Sequence, residues 1–350
     1  MIERLGFAMN RDHEPKSDES VDCHSVVDKL GKPAAATRPV VLFVLGTQRS
    51  GTSAITRVLS LCGGTLPTGM LGADAGNPRG NWEPRKVIGI NESILHRHGS
   101  TWFDPSLRLL EDGALDTEKK AACVAEIAAY LNTLPVAPLV VIKDPRITIL
   151  SELWFEASRL AGFDTAAVIA VRHPQEVISS VAASWGLAPE LSSALWLKYN
   201  LLAERDTRGI PRVFVEYPNL LDDWRREIKR ISMALPIDLT TEDADAIEEF
   251  LTPDLRRQKN GGSVTNRFGA DWISSVYDAQ CLAARDESPD EGMLDRIFQS
   301  YRSSENDFRS AFEGYRKLSG GVRTRIFRPA IVKPMIELVA MAHRRRGTWA

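Results

Sequence analysis

A glycine-containing turn follows the first strongly apolar run of this 350-residue chain. Residues 46–53 have the sequence GTQRSGTS and come directly after VVLFVL. A turn of this kind between a strand and a helix presents backbone N–H groups to an anion, and the helix dipole adds to the attraction. In loops that bind nucleoside triphosphates, a lysine follows the second glycine. Here Thr52 stands in that place, and a cation, Arg49, lies three residues earlier. The segment therefore predicts a site for one phosphate, with its cation at a different position from the usual lysine.

Three further polar segments end apolar runs of the chain. Residues 143–146 are KDPR, residues 172–180 are RHPQEVISS and residues 216–220 are EYPNL. Ligands of open α/β sheets gather at the carboxyl ends of the strands, so we expect these segments to meet around the loop. Arg172 and Ser180 would then bind one phosphate from two sides.

The absence of the lysine bears on whether the protein transfers a phosphoryl group or a sulfuryl group. A kinase needs Mg²⁺, an acid to hold it and a charge clamp on the phosphates. Thr52 and Ser53 are the candidate metal ligands of the loop, and Asp144 and Glu216, which both end apolar strands, are the available acids. A kinase that uses Mg-ATP, with Asp144 as its metal-holding acid, stays open as an alternative. A sulfuryl group carries less negative charge than a phosphoryl group, so its transfer depends more on a few well-placed cations. Arg49 would stabilise the charge that develops on the leaving phosphate.

These segments resemble the motifs of one enzyme family. GTQRSGTS resembles the 5′-phosphosulfate loop of sulfotransferases that use 3′-phosphoadenosine 5′-phosphosulfate (PAPS), and RHPQEVISS resembles their 3′-phosphate motif. KDPR and EYPNL extend the similarity toward the tyrosylprotein sulfotransferases and related bacterial enzymes. The resemblance covers roughly residues 40–260. It implies a P-loop-type α/β fold, PAPS as the donor, no metal, and in-line transfer to a hydroxyl or amine; a nucleotide-binding module without catalysis is the other alternative.

The resemblance also implies which residues hold the donor. Arg172 and Ser180 would hold its 3′-phosphate, and Tyr217, at the end of a strand, would contact the nucleotide. Lys143 would lie beside the sulfuryl group and act in catalysis together with Arg49. The residues of the loop would bind the 5′-phosphate: Gly46, Thr47, Gln48, Arg49, Ser50, Gly51, Thr52 and Ser53.

The acceptor needs a general base near the sulfur. The segment GNWEPRKVIGIN resembles the one that carries the catalytic glutamate in the same branch, which implies Glu83 as the base. Cytosolic sulfotransferases use a histidine instead, so His96 and His98 are alternatives. These two histidines are two residues apart in a predicted helix, so their side chains would not face the same site. Three aromatic residues near this segment would either line an acceptor pocket or pack in the core: Trp82, Trp102 and Phe103.

One part of the family pattern has no match. The Arg-Lys-Gly segment that closes over the nucleotide in cytosolic sulfotransferases is absent from this sequence. The segment LRRQKNGGS at residues 255–263 offers Arg256, Arg257 and Lys259 before a glycine pair, and we assign Arg257 to the nucleotide. A solvated loop is the alternative for this segment.

Alternating strands and helices would position these residues. Four buried strands are predicted at PVVLFVL, PLVVIKDPR, TAAVIAVRHP and PRVFVEYPNL. Helices are predicted between them, one from Ser50 and one over residues 147–162, and the Gly- and Pro-rich residues 63–85 predict a long irregular loop. The alternation indicates an open, mainly parallel α/β sheet flanked by helices. After about residue 245 only helices and loops are expected.

This pattern divides the chain into three parts. Residues 1–37 are polar and rich in Pro, Ser and Asp, which is typical of a disordered segment. Residues 38–260 would form the α/β domain, and residues 261–350 a helical extension packed on it.

Composition narrows the partners and the compartment. The formal net charge is −2, which does not indicate nucleic-acid binding. The four cysteines lie far apart without a C-x-x-C pair, which argues against a zinc site or a disulfide framework. No secretory signal or membrane span is visible, so we expect a cytoplasmic protein that acts on a small molecule, a glycan or a glycolipid.

The C-terminal segment carries an unusual charge. Residues 323–350 include seven Arg or Lys residues against one Glu, around an apolar centre. Such a segment would lie on an anionic membrane surface. The alternative is an amphipathic helix that closes the domain and has a basic end.

Overall fold

The computed structural model describes residues 38–74, 76–110, 114–252, 255–256, 258–259, 262–268, 270–318 and 328–344. The predicted disordered segment at residues 1–37 and the predicted nucleotide ligand Arg257 lie outside the described residues.

A four-stranded parallel sheet forms the centre of the fold, in the order β4-β1-β5-β6. The strands are β1 Val40–Leu45, β4 Leu139–Lys143, β5 Asp164–Val171 and β6 Arg212–Glu216. All four predicted strands are therefore confirmed, and the chain has an α/β fold. Their near-continuous apolar sequence is explained by the sheet being covered on both faces, which leaves no strand position in β1 exposed.

Alternate residues of β1 enter two separate cores, one on each face of the sheet. Val41, Phe43 and Leu45 pack in the cluster that contains Trp154. Val40, Leu42 and Val44 pack in the other cluster, against the inner face of the first helix. This alternation is the expected consequence of the two-residue period of a strand.

Helices fill both faces of the sheet. They are α1 Thr52–Leu61, α2 Arg85–Arg97, α3 Thr117–Leu131, α4 Ser151–Leu160, α5 Pro174–Trp185, α6 Pro189–Asp206, α7 Tyr217–Asp222, α8 Trp224–Ala234, α9 Ala244–Phe250, α10 Trp272–Ala283, α11 Glu291–Ser303, α12 Glu305–Leu318 and α13 Pro329–Arg344. Short 3₁₀ turns occur at Arg108–Leu110 and Pro145–Ile149. As expected, the described residues after 245 form helices and irregular segments without a strand.

Three local predictions were wrong. The long loop contains a two-stranded antiparallel ladder, β2 Met70–Leu71 with β3 Glu83–Pro84, in which Leu71 pairs with Glu83. The helix predicted over residues 147–162 is two elements, because Asp144 caps the 3₁₀ turn that follows it and α4 starts only at Ser151. The first helix begins at Thr52 rather than Ser50, because Gly51 has a left-handed backbone and cannot be part of it.

The register of the sheet brings the strand ends together. Val44 lies opposite Lys143, and Val171 lies opposite Glu216. The polar segments that follow these strands therefore leave the sheet at one edge, where the turn after β1 also lies.

Candidate active site

The turn after β1 is held in a conformation that needs glycine. Gly46 and Gly51 have φ of 129° and 94°. A Cβ built on Gly51 would lie 2.3 Å from Cδ2 of Tyr217, so the loop backbone packs directly on that ring. The Gly46 N–H donates to Thr148 Oγ1 at 3.0 Å. The loop is thus held by the segments that follow β4 and β6, through Thr148 and Tyr217.

A cavity of about 640 Å³ opens over this loop. Its wall includes ten of the residues predicted from the sequence: Gln48, Arg49, Gly51, Thr52, Ser53, Glu83, Lys143, Arg172, Ser180 and Tyr217. The other three residues of the loop, Gly46, Thr47 and Ser50, do not line the cavity. The fold therefore gathers the predicted residues around one space, while their individual roles stay predictions.

The two predicted phosphate motifs are in direct contact. Arg49 Nε donates to Ser180 Oγ at 2.9 Å, and Arg172 Nη1 donates to the Arg49 carbonyl at 2.9 Å. The Arg172 guanidinium also lies over the ring of Tyr217, 4.9 Å from its centroid. Burial raises the pKa of the Tyr217 hydroxyl, while Arg172 opposes that shift. Two arginines and a hydroxyl thus form one cationic wall.

A buried carboxylate orients this wall. Glu176 Oε2 accepts from Arg172 Nε at 2.8 Å, and the same carboxylate pairs with Arg256. Arg172 Nη2 donates to the carbonyl of Gln258 at 3.2 Å. Arg256 and Gln258 of the basic segment therefore contact the Arg172–Glu176 pair, whereas Lys259 is exposed. A nucleotide-binding role for this segment stays a prediction, and so does its solvated-loop alternative.

Lys143, at the end of β4, connects the predicted phosphate loop (residues 46–53) to the predicted base. Its Nζ donates to Ser53 Oγ at 3.1 Å, to the Asn81 carbonyl at 2.9 Å and to Glu83 Oε1 at 2.7 Å. The lysine side chain is only 3% exposed and the glutamate side chain 12% exposed, so the pair is shielded from solvent. Because Lys143 also lines the cavity, its ammonium can contact a group that is bound there.

Glu83 is placed by β3, the strand that the sequence did not predict. Its second oxygen, Oε2, lies 3.8 Å from Arg146 Nη1, which is longer than a hydrogen bond. Arg146 itself pairs with Asp144 at 2.8 Å and with Glu92. Although burial alone would lower it, these carboxylates raise the pKa of Arg146 well above its usual range.

The alternative residues lie elsewhere. Asp144 is fully buried, and its two oxygens accept from Arg146 and from Asn91 Nδ2. His96 is exposed in the last turn of α2, and His98 follows that helix; neither lines the cavity. Partial burial lowers the pKa of His98. Of the three aromatic residues, Trp102 lines the cavity, while Phe103 packs in the core; Trp82 has Arg57 over its ring.

Sequence reasoning missed a set of buried polar residues under the loop. Tyr199 OH accepts from Gln48 Nε2 at 3.0 Å and donates to the Trp102 carbonyl at 2.8 Å. Asn200 Nδ2 donates to Thr47 Oγ1 at 3.0 Å. Both belong to α6, in which KYN interrupts the apolar run LWL-KYN-LLA at residues 195–203, and these polar residues within an apolar run were the available signal.

The described residues contain neither a metal-binding cluster nor a membrane-spanning helix. No group of three or more His, Cys, Asp or Glu side chains there is arranged to hold a metal ion. Within the same ranges, no helix has the length and apolar character that a membrane crossing requires.

Comparisons with known proteins gave structural neighbours only. No protein-family model matches the sequence, and no curated protein matches it. Among solved structures, 12 chains match. One is the sulfotransferase domain from the Synechococcus PCC 7002 olefin synthase, 19% identical, with 71% of this chain and 96% of that chain covered and a TM-score of 0.41. Another is the sulfotransferase domain from the curacin biosynthetic pathway, 14% identical, with 64% and 80% covered and a TM-score of 0.33.

Proposed function

We propose that this protein is a sulfotransferase that transfers the sulfuryl group of PAPS to a hydroxyl or amine of a small-molecule, glycan or glycolipid acceptor. The observation that carries the proposal is the position of Lys143, whose ammonium donates both to Ser53 of the phosphate loop and to Glu83. Within the sulfotransferases, the motifs KDPR and EYPNL of this chain favour the branch that resembles the tyrosylprotein sulfotransferases.

The residues present fit the two phosphates of such a donor. The loop offers a glycine cradle for one phosphate, and Arg172 with Ser180 offers a second, cationic position in contact with it. A volume of about 640 Å³ lies within the range of roughly 300–1,000 Å³ that is usual for ligand sites. Tyr217, whose ring packs against Gly51, supplies an apolar surface beside both positions.

The chain would perform the reaction as a proton transfer coupled to a displacement. The donor supplies an activated sulfuryl group, whose bond to the 5′-phosphate breaks as the acceptor oxygen or nitrogen bonds to sulfur. Glu83 takes the acceptor's proton. Lys143 and Arg49 stabilise the negative charge that develops at the sulfuryl group and on the leaving phosphate. Tyr199, through Gln48, holds the loop in place for this step.

The contact between Lys143 and Glu83 is compatible with Glu83 as the base and with Lys143 as the cation that stabilises the developing charge. Glu83 Oε1 is held by Lys143, while Oε2 has no partner closer than Arg146 Nη1 at 3.8 Å among the described contacts. The carboxylate therefore has a fixed orientation and an oxygen that can accept a further hydrogen bond. In a complex with the donor, Lys143 and Ser53, which both line the cavity, would lie beside the sulfuryl group.

The kinase alternative requires an acid to hold Mg²⁺, and the candidates are Asp144 and Glu216. Glu216 does not line the cavity. Both oxygens of Asp144 are engaged by Arg146 and Asn91, and the residue does not line the cavity. This arrangement argues against a metal-holding role for Asp144, and we favour the sulfotransferase for that reason as well.

The test is transfer of labelled sulfate. Protein incubated with ³⁵S-labelled PAPS and a cell extract should produce labelled products that Glu83→Gln fails to produce, while the variant still binds 3′-phosphoadenosine 5′-phosphate. The controls are His96→Gln and His98→Gln, which should retain activity. Full activity of Glu83→Gln would reject Glu83 as the base, and absence of any labelled product from wild type would contradict the proposed function.

A further inference from the structure

The last described helix, α13, presents an apolar face to solvent. Five large apolar side chains on it are between 41% and 62% exposed. Only eight large apolar side chains are exposed in the described part of the chain, so most of that surface lies on one helix. The five are Ile331, Met335, Leu338, Val339 and Met341. Ile331, Met335 and Leu338 follow the spacing of one helix face, which makes the surface continuous.

The opposite face of α13 attaches the helix to the protein. Val332 and Ala340 are buried there. Glu337 pairs with the buried Arg85 at 3.0 Å, and the side chain of Lys333 lies over Gly89 of α2. A helix that closes a domain normally buries its apolar stripe and exposes its charges. Here the single acidic residue of the helix pairs with Arg85 although its own side chain is 55% exposed, and the apolar stripe is turned outward.

Positive charge lies at both ends of this helix. Arg328 and Arg344 are exposed at the two ends of the helix. The sequence continues the charge on both sides, with Arg323 and Arg325 before the helix and a pair of arginines after Arg344. Two copies packed through this face would bring two such sets of cations together, which is unfavourable. A surface that carries negative charge and takes up apolar side chains would complement both the arginines and the apolar side chains of this helix.

We propose that α13 docks the protein onto an anionic phospholipid surface. Its apolar side chains would enter the boundary between headgroups and acyl chains, and the arginines would contact anionic headgroups. The helix would lie in the plane of the membrane and not cross it. This inference does not depend on the proposed sulfotransferase activity.

The test is sedimentation of the full chain with vesicles. Wild type should bind phosphatidylcholine vesicles that contain one-third phosphatidylserine, bind pure phosphatidylcholine vesicles much less, and lose binding at high salt. Leu338→Glu should reduce the bound fraction by roughly tenfold or more, because it places a charge in the apolar face. Arg344→Ala should reduce the partition coefficient about fivefold, the effect of one cation at such a surface.

Matched controls separate docking from misfolding. Met233→Glu introduces the same charge at a side chain that is 78% exposed on α8, and it should bind vesicles like wild type. Leu338 is exposed, so Leu338→Glu should leave the melting temperature unchanged.

Three results would overturn the proposal. They are failure of wild type to bind anionic vesicles, equal binding of Leu338→Glu and wild type, and equal binding of wild type to neutral and anionic vesicles. A concentration-dependent dimer in light scattering that Leu338→Glu abolishes, without vesicle binding, would show instead that a second copy covers this face.

Discussion

The ammonium of Lys143 lies 2.7 Å from the carboxylate of Glu83 and 3.1 Å from the hydroxyl of Ser53. The three residues come from β4, β3 and α1, which are distant in sequence. A single buried cation therefore joins the phosphate loop to the residue that we propose as the base.

Lys143→Met should slow sulfate transfer by about a hundredfold or more, because it removes the cation nearest to the developing charge. If the pair acts as a unit, the double variant Lys143→Met/Glu83→Gln should be little slower than either single variant. The measurement is the single-turnover rate with labelled PAPS. Lys86→Met, which removes an exposed lysine at the start of α2, is the control. Fully multiplicative losses in the double variant would show that the two residues act independently.

Arg172→Ala should weaken binding of 3′-phosphoadenosine 5′-phosphate by about 10- to 100-fold, the loss expected for a charge-assisted contact. Binding of 5′-AMP, which lacks the 3′-phosphate, should change little. The fold should tolerate the change because Glu176 keeps Arg256 as its partner. Isothermal titration of both nucleotides checks this, with the exposed Arg159→Ala as the control. Equal losses for the two nucleotides would remove the assignment of Arg172 to the 3′-phosphate.

Gly51→Ala should destabilise the protein more than Gly162→Ala does. Both glycines have positive φ, 94° and 85°. Each alanine therefore carries a backbone cost of about 1 kcal/mol. Only Gly51 faces another group, since its Cβ would lie 2.3 Å from the Tyr217 ring while nothing lies within 4 Å of Gly162. The overlap should add about 1–3 kcal/mol, measurable by urea unfolding. Equal losses would show that the loop moves away from Tyr217 without cost.

Asp206 provides a test of stability against pH. Burial raises the pKa of its carboxyl to about 6, above its ordinary value of 3.8, despite a hydrogen bond from Ser151. The folded state then binds more protons than the unfolded state between these values, so stability falls as the pH rises through this window. Relative to Asp206→Asn, wild type should lose about 2 kcal/mol of unfolding free energy between pH 4.5 and 7. A difference between the two proteins that does not change with pH would contradict the pKa shift.

The sequence predicts the four strands and the cationic loop well, for a physical reason. Each strand is a run of apolar, β-branched residues bounded by Pro, Gly or charge, and such runs depend on local sequence. Because parallel strands end at one edge, the motifs that follow them were also expected to meet. Arg49, Arg172 and Ser180 do meet there.

The sequence does not predict the contacts that arise from long-range pairing. The ladder that carries Glu83 has two residues in each strand and forms only against Met70 and Leu71. The contact between Glu83 and Lys143 follows from that ladder, so no local pattern could indicate it. Likewise, the period of α13 indicates an amphipathic helix, but it does not tell which face points outward.

Binding of the donor product tests the central claim most directly, because it needs no knowledge of the acceptor. In a thermal-shift measurement, 3′-phosphoadenosine 5′-phosphate without metal should raise the melting temperature of wild type, since a ligand that binds only the folded state stabilises it. Arg172→Ala should reduce this shift, and Mg-ATP should produce a much smaller one. Stabilisation by Mg-ATP alone, with no response to 3′-phosphoadenosine 5′-phosphate, would contradict the sulfotransferase account.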